Sequence, residues 1–295
     1  VIDGLLVVDK PAGWTSHDVI AKLRRLSGQR RIGHAGTLDP AATGVLVLGL
    51  GQATRLLEYL SNADKVYRSE FLLGVATDTD DADGQVIGVA DTAWLTAEQV
   101  RSALAGFVGQ IEQTPPQVSA VHVGGQRAYA AVRAGRAVAI PPRTVTIHAI
   151  EVEAIALPRL TVVVHCGSGV YIRSLARDLG ARLGVGGHVA RLRRLAVGGL
   201  RIETAVTLEE VAAAAAGGRL GELVLPSRAA LGGWPEITLS PAEEARVREG
   251  QPLPQRDPAI GRVAASDAAG RLIAILESVN GRWQPVKVLP REEDR

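Results

Sequence analysis

The chain holds one cysteine, Cys166, and no methionine. A single thiol cannot close an internal disulfide, so a reducing compartment, the cytoplasm, is expected. Aromatic residues are scarce, with four tryptophans, four tyrosines and two phenylalanines. No apolar run approaches the roughly 18 residues that mark a membrane-spanning helix, so no membrane association is expected. The opening VIDGLLVVDKPAGW sets Asp3 and Asp9 around a short apolar run. That is the wrong charge order for a secretory leader. The missing methionine, even at position 1, suggests a start that was trimmed or engineered. The six histidines (His17, His34, His122, His148, His165 and His188) show no H-x-x-x-H spacing. With no carboxylate cluster beside them and one cysteine, no metal site is expected.

Lysine is rare too, at Lys10, Lys22, Lys65 and Lys287, so the positive charge is nearly all arginine. The guanidinium group suits phosphate and carboxylate; a compositional bias of the source explains the excess equally well. Net charge is only +2, but its distribution is uneven. Acids collect in TDTDDADG (Thr77–Gly84). Arginines collect in LRRLSGQRR (Leu23–Arg31), QRAYAAVRAGR (Gln126–Arg136) and ARLRRLAVGGLR (Ala190–Arg201).

With 46% hydrophobic residues, the 295-residue chain can build a large core. Leu5–Val8, Val45–Leu48, Val66–Leu73, Val145–Ile155 and Leu160–Cys166 are expected strands. Gln85–Val89 is expected to close a hairpin after the acidic turn Asp78–Gly84. Ser16 is expected to cap a helix that buries Val19, Ile20, Leu23 and Leu26. Ala53–Leu60 predicts a short helix. Thr96 with Gln99 makes a capping box for a helix to about Gly106, and Thr207 caps an alanine-rich helix to about Ala216. Another helix is expected to start near Ser168–Val170. Gln113–Arg143 is bracketed by prolines and basic, which predicts an excursion with one short helix around Ala128–Ala134. Residues 216–236 read as a linker, followed by helix Pro241–Glu249 and short strands turning at DAAG and VNG. Irregular mixing of strands and helices predicts an α+β fold, with a mixed, largely antiparallel central sheet and flanking helices. The expected division is a large domain over 1–230, with an insertion at 113–143, and a small β-rich domain over 234–295.

GHAGTLDPAATG, Gly33–Gly44, is the most tightly specified stretch. A phosphate loop would end in Gly-Lys-Ser/Thr, and this one has no lysine. A dinucleotide loop would lead into a helix, and here an apolar strand follows. No paired carboxylates and no Ser-His-Asp pattern stand out. What remains is a lone carboxylate, Asp39. Pro40 restricts it to extended backbone, and Gly33, Gly36 and Gly44 free the loop around it. Such an aspartate is a nucleophile, a base, an electrostatic stabiliser, or an ordinary turn-former ahead of proline.

GHAGTLDPAATGVLVLGLGQATR does not stand alone. VVDKPAGWTSHDVI, DKVYRSEFLLGVATDTDDADG, PPQVSAVHVGGQRAYAAVRAGR, CGSGVYIRSLARDLGARLGVGGHVARLRRLAVG and TLEEV surround it in order. Together, over about residues 5–212, they resemble the TruB family of pseudouridine synthases, which modify the T-loop of transfer RNA. The tail resembles, less closely, a PUA-like RNA-binding domain. The resemblance implies isomerisation of the T-loop uridine, position 55, to pseudouridine on a flipped-out base. It implies the tRNA T-arm as partner and no cofactor; a monomer is the default expectation, and assistance in tRNA folding is compatible with the same chain.

The resemblance also implies site residues. Asp39 is the catalytic aspartate. Arg173 in GVYIR is its charge partner, which lowers the carboxylate's pKa. Tyr67 stacks on the uracil and serves as a late base, Tyr171 is a second tyrosine, and Leu192 is an apolar wall. Lys10 and Pro11 pack near the pocket, and His34 fills the space that the flipped base leaves. The insertion grips RNA through Arg127, Arg133 and Arg136, with His122, Gln126 and Arg127 where relatives often carry lysines. Arg191, Arg193 and Arg194 are further phosphate candidates. Two other readings stand beside this one: an RNA-folding helper without chemistry, and a relative that acts on another RNA within a protein complex.

Overall fold

A strand that is apolar on both faces must be covered on both, and LLVV within GLLVVDK is such a run. The computed structural model describes residues 1–117, 122–123, 126–127, 140–257 and 260–290, with the side chains of 122–127 outside the description. There GLLVVDK is strand β1 (Gly4–Lys10). Leu6 and Val8 enter one core, while Leu5 and Val7 enter another on the opposite face. Strand β2 (Ile32–Ala35) and strand β3 (Thr43–Leu50) flank the glycine-rich loop. Like β1, β3 divides its side chains, with Leu46, Leu48 and Leu50 on one face and Val45 and Val47 on the other.

Next come β4 (Lys65–Leu73), β5 (Val75–Thr77), β6 (Val86–Val89), β7 (Gly109–Gln113), β8 (His122–Val123) and β9 (Gln126–Arg127). They are followed by β10 (Arg143–Ala156), β11 (Arg159–Cys166), β12 (Gly187–Val197) and β13 (Leu200–Arg201). Among the described residues the main sheet has nine strands, ordered β1-β3-β12-β4-β11-β10-β7, with β2 also on β3 and β13 on β12. Every pairing is antiparallel except the short β3–β12 contact, where Arg193 and Arg194 lie opposite Thr43 and Gly44. The expected mixed, largely antiparallel sheet is thus observed.

Among the described residues the α-helices are α1 (Ser16–Ser27), α2 (Leu57–Ser61), α3 (Ala97–Ala105), α4 (Ile172–Arg182), α5 (Leu208–Ala216) and α6 (Pro241–Arg248). Val19, Leu23, Val100, Leu175, Leu179 and Val211 bring four of them onto one core. The capping box at Thr96–Gln99 forms as expected, and Thr207 caps α5 as expected, in a box with Glu210. Helix α1 differs: Thr15 is its cap, in a box with Asp18. Ser16 instead exchanges hydrogen bonds with the backbone of Leu38, which ties the helix to the Asp39 loop.

The hairpin across the acidic turn forms as expected, between β5 and β6, with Gly74 at φ +85° ending β4 before it. Three further expectations are corrected. Helix α4 starts at Ile172, because Gly169 turns with φ +85° and Tyr171 is still extended. Ala53–Leu60 splits into a 3-10 turn over Gly51–Leu56 and helix α2. The stretch 216–236 is no free linker: Leu225 exchanges backbone hydrogen bonds with Leu5, and Leu220, Ala230 and Leu231 are buried. The expected helix around Ala128–Ala134 lies outside the described residues. Strands β7 and β12 had no element assigned from the sequence. Bulges at Val189/Arg191 and Arg194/Ala196 break the alternation of β12, which removes the local signature of a strand.

Residues from Glu236 onward form a second, five-stranded sheet: β14 (Glu236–Thr238), β15 (Leu253–Pro254), β16 (Arg262–Ser266), β17 (Leu272–Val279) and β18 (Arg282–Val288). Its order is β14-β16-β17-β18-β15. One of its faces packs on its own core around Trp283 and Val247. Ala264, Leu272 and Ile275 join Leu5, Val7 and Val47 on the second face of the main sheet. No described helix is long and apolar enough to cross a membrane.

Candidate active site

The loop between β2 and β3 is built to present one carboxylate. Gly36 turns with φ +81°. Asp39 then opens a tight turn, its carbonyl accepting from the Ala42 N–H at 3.1 Å, with Pro40 in the second position that proline favours. At the far end Gly44, φ +99°, crosses β12 so closely that a Cβ would lie 2.1 Å from the Arg194 carbonyl oxygen. Gly33 is different: it lies within β2 and packs against Leu57.

Two buried cations hold this loop from below. Lys10 Nζ donates to the carbonyls of Trp14 (2.7 Å), Pro11 (2.9 Å) and Pro40 (3.2 Å). Burial pushes the Lys10 ammonium down to about 8, against the pull of Asp39 and with that of Arg194. Arg194 donates to the carbonyls of Val45 (2.7 Å) and Gly36 (3.1 Å). Each end of the Asp39 segment is therefore fixed through its backbone oxygens.

Helix α4 brings the partner. Arg173 is 5% exposed, and its Nε lies 3.0 Å from Asp39 Oδ2. Its Nη1 lies 3.4 Å from Asp81 Oδ2 and donates to the Thr79 carbonyl at 3.0 Å. The Asp39 side chain is 40% exposed and faces open space. The family resemblance implies a guanidinium that holds Asp39 below the ordinary carboxylate value. The net push is upward: loss of surrounding water dominates, Arg173 opposes it, Asp81 adds to it and Lys10 opposes it.

Asp39, Arg173 and Leu192 line two cavities at once. The smaller, about 260 Å³, is walled by Tyr67, Tyr171 and Ile172. The larger, about 660 Å³, is lined by Arg68, Asp81 and Arg191 among others. Tyr67 projects from the buried face of β4 beside the Arg194 guanidinium, and burial pushes its phenol up. Tyr171 is fixed through its backbone by the Gln113 side chain, at 2.7 and 3.1 Å.

Asp39, Tyr67, Arg173, Tyr171 and Leu192 thus come together, with Lys10 beneath them. Others do not. His34 sits on β2 with its ring edge-on to His17 at 5.5 Å, and it lines neither cavity. Pro11 is exposed and contributes its carbonyl to Lys10. Arg193 lines the larger cavity and is paired with Asp9 at 2.7 Å, while Arg194 is buried and spends its donors on backbone carbonyls. The side chain of Arg127 and all of Arg133 and Arg136 lie outside the described residues.

Four contributors escaped the sequence reading. Asp81 sits in the acidic turn and reaches Arg173; clustered acids in a chain rich in arginine were the available signal. Arg177 and Asp80 form a second ion pair beside it, at 2.7 Å. Arg143 stands over the Tyr171 ring, 5.0 Å from its centroid, and its buried Nε has no acceptor among the described residues. Nothing local marks Arg143, whose position depends on the β7–β10 pairing. Among the described residues, no three His, Cys, Asp or Glu side chains are grouped to hold a metal.

The family model for the TruB family pseudouridylate synthase N-terminal domain matches residues 24–172. The tRNA pseudouridylate synthase B C-terminal domain model continues over 173–232, and the tRNA pseudouridine synthase II C-terminal model covers 234–290. The chain belongs to the TruB family of pseudouridylate synthases. Relatives of this TruB-family enzyme extend over almost its whole length. The chain is 46% identical to tRNA pseudouridine synthase B of Thermobifida fusca, over 97% of this chain and 98% of that protein. It is 44% identical to that of Mycobacteroides abscessus, over 97% and 96%. Among solved structures it is similar to a chain of an H/ACA ribonucleoprotein bound to a substrate RNA containing 2'-deoxyuridine. That match has a TM-score of 0.76 and 24% identity, and covers 98% of this chain and 86% of that one. A chain of a Cbf5-Nop10-Gar1 complex matches with TM-score 0.74 and 25% identity, over 98% and 84%. These structures share the TruB-family fold, a mixed sheet with helices and a β-rich C-terminal unit.

Proposed function

We propose that this synthase converts the T-loop uridine of transfer RNA, position 55, to pseudouridine, with Asp39 as the catalytic carboxylate. The observation that carries the reading is the Asp39–Arg173 pair, facing a cavity walled by Tyr67, Tyr171 and Leu192. In this isomerisation the bond from the ribose C1′ to N1 breaks and one from C1′ to C5 forms. The C5 hydrogen leaves and N1 takes a proton. No electron is transferred and no group is added, so one carboxylate suffices.

Each neighbour has a role in this reading. Arg173 aims the carboxylate and favours its ionised form. Tyr67 and Tyr171 offer ring faces to a flipped-out base, and such stacking is worth about 1–3 kcal/mol per base. Burial keeps the Tyr67 phenol protonated, which fits a stacking wall better than a base. Lys10 fixes the loop. His34 lies outside the cavities, where it would meet the strand from which the base has left. Arg143 and Arg191, with Arg127 and Arg133 of the insertion, supply phosphate contacts. Residues 234–295 act as a small PUA-like RNA-binding unit, and the enzyme works as a monomer in the cytoplasm, where tRNA matures.

Release of tritium from C5-labelled uridine in an unmodified T-arm hairpin tests the reaction. Wild type is expected to release it and Asp39→Ala to release none. Binding without release by wild type would leave an RNA binder and overturn the enzyme reading.

A further inference from the structure

Asp80 has φ +62°, a left-handed backbone that side chains other than glycine's rarely adopt. It is not a loop tip drifting in solvent, for Asp80 is buried. Both sides of it serve the candidate site. Before it, the Thr79 carbonyl accepts from Arg173 Nη1 at 3.0 Å. After it, the Asp81 carboxylate reaches the same nitrogen at 3.4 Å. The twist at Asp80 is what turns both oxygens toward Arg173.

Something must hold that twist. The Asp80 N–H donates to the Thr77 carbonyl at 3.4 Å. The Asp80 carbonyl accepts from the Val189 N–H at 3.0 Å. Its carboxylate is held by Arg177 Nη1 at 2.7 Å. Arg177 lies one helical turn beyond Arg173 on α4, so both guanidiniums reach the acidic turn from the same face. Arg177 is fixed in turn: Nε meets Asp178 at 2.9 Å, and Nη2 donates to the Thr114 carbonyl at 2.8 Å. Ser174 Oγ donates to that carbonyl too, at 2.8 Å.

We propose that Arg177 is a positioning residue for the isomerisation: by holding Asp80 in its left-handed conformation it keeps Thr79 and Asp81 on Arg173, and so keeps Arg173 on Asp39. The proposal rests on the reading of Asp39–Arg173 as the catalytic pair. Arg177 lines neither cavity and touches no reacting atom, so its effect passes through Asp80. The charged groups facing Asp39 are Arg173 from α4, Asp81 from the acidic turn and Lys10 from β1. Loosening Arg173 removes the main cation from this set and leaves Asp39 easier to protonate.

The test is steady-state tritium release across pH on T-arm RNA, with Asp39→Asn, Arg177→Ala and the double variant Asp80→Gly/Arg177→Ala. Arg177→Ala is expected to lower kcat about tenfold with KM within about twofold, and to move the acid limb of kcat to higher pH. Glycine adopts φ +62° without a side-chain penalty. The double variant is therefore expected to recover kcat to within about threefold of wild type and to bring the limb back. If Arg177→Ala does not fold, Arg177→Lys is read in the same way, with a smaller fall. A loss confined to KM would make Arg177 a substrate contact and overturn the proposal. So would unchanged turnover, or a fall in kcat with an unmoved limb and no recovery on adding glycine. Turnover retained by Asp39→Asn would overturn the catalytic pair and this proposal with it, whereas its loss beside an indifferent Arg177→Ala would overturn this proposal alone.

Discussion

Asp39 carries opposing demands. Its cavity must exclude water from the reacting base, yet the carboxylate must be ionised to act. Burial raises its pKa and Arg173 and Lys10 lower it, with the net direction upward. A carboxylate with a raised pKa is ionised only above that value, so activity is lost as pH falls through it. The acid limb of kcat/KM is therefore expected above 3.8, the ordinary aspartate value, in a pH series of tritium release. Lys10→Met removes one of the two opposing cations and is expected to move the limb further up. Lys10 also has its own signature. Its pKa falls from 10.5 unfolded to about 8 folded, so between these values the unfolded chain binds more protons. Wild type should thus gain stability relative to Lys10→Met as pH rises through that window, read by denaturant titration at several pH values. Arg143 belongs to the same scale. Its buried Nε has no acceptor among the described residues, whereas Arg68 is already paired with Glu153. Arg143→Gln is expected to weaken RNA binding and to reduce the slope of log Kd against log salt by about one. An unchanged slope would assign Arg143 to the packing of Tyr171.

Elements position these residues through a few close approaches. The short parallel contact of β3 with β12 exists because Gly44 has no side chain to strike the Arg194 carbonyl oxygen. Gly44→Ala is expected to cost at least about 2 kcal/mol, from strain at φ +99° and from the clash, and to lower the melting temperature accordingly. It should also lower turnover, because Arg194 holds Gly36 and Val45 at the two ends of the Asp39 loop. Much of this scale was legible in the sequence. The caps of α3 and α5 depend on residues three apart, and β1, β4, β10 and β11 show their character within their own spans. The misses have physical causes. Thr15 outcompeted Ser16 as a cap because Ser16 found the Leu38 backbone. Strand β12 hid behind two bulges and three arginines, one paired with Asp9 and one buried on carbonyls.

Over the whole molecule, the two sheets are not separable bodies joined by a tether. Leu231, Ala264, Ile275 and Leu289 cover the face of the main sheet that carries Leu5, Val7, Val45 and Val47. The contact is reinforced by Arg55 donating to the Val288 carbonyl at 2.8 Å and by Tyr59 edge-on to Trp234. Removing residues 234–295 is expected to expose that apolar face and lower the melting temperature of what remains, rather than merely weaken RNA binding. Circular dichroism of the full chain should show one cooperative transition. Two separated transitions would show that the shared core contributes little.

The sequence alone determined what depends on neighbours along the chain. Asp39 is aimed because Pro40 follows it and glycines surround it, and the family motifs are read residue by residue. Beyond the Asp39–Arg173 pair that the family motifs imply, the tertiary structure decided what pairs residues distant in sequence. Arg173, Asp81, Lys10 and Arg194 converge on one loop from four different elements, and no local pattern encodes that meeting. The direction of the Asp39 shift was decided there as well. A guanidinium beside a carboxylate is a short-range attraction that a motif can imply. Desolvation is a sum over every atom packed around the group, and it exists only once the chain has folded.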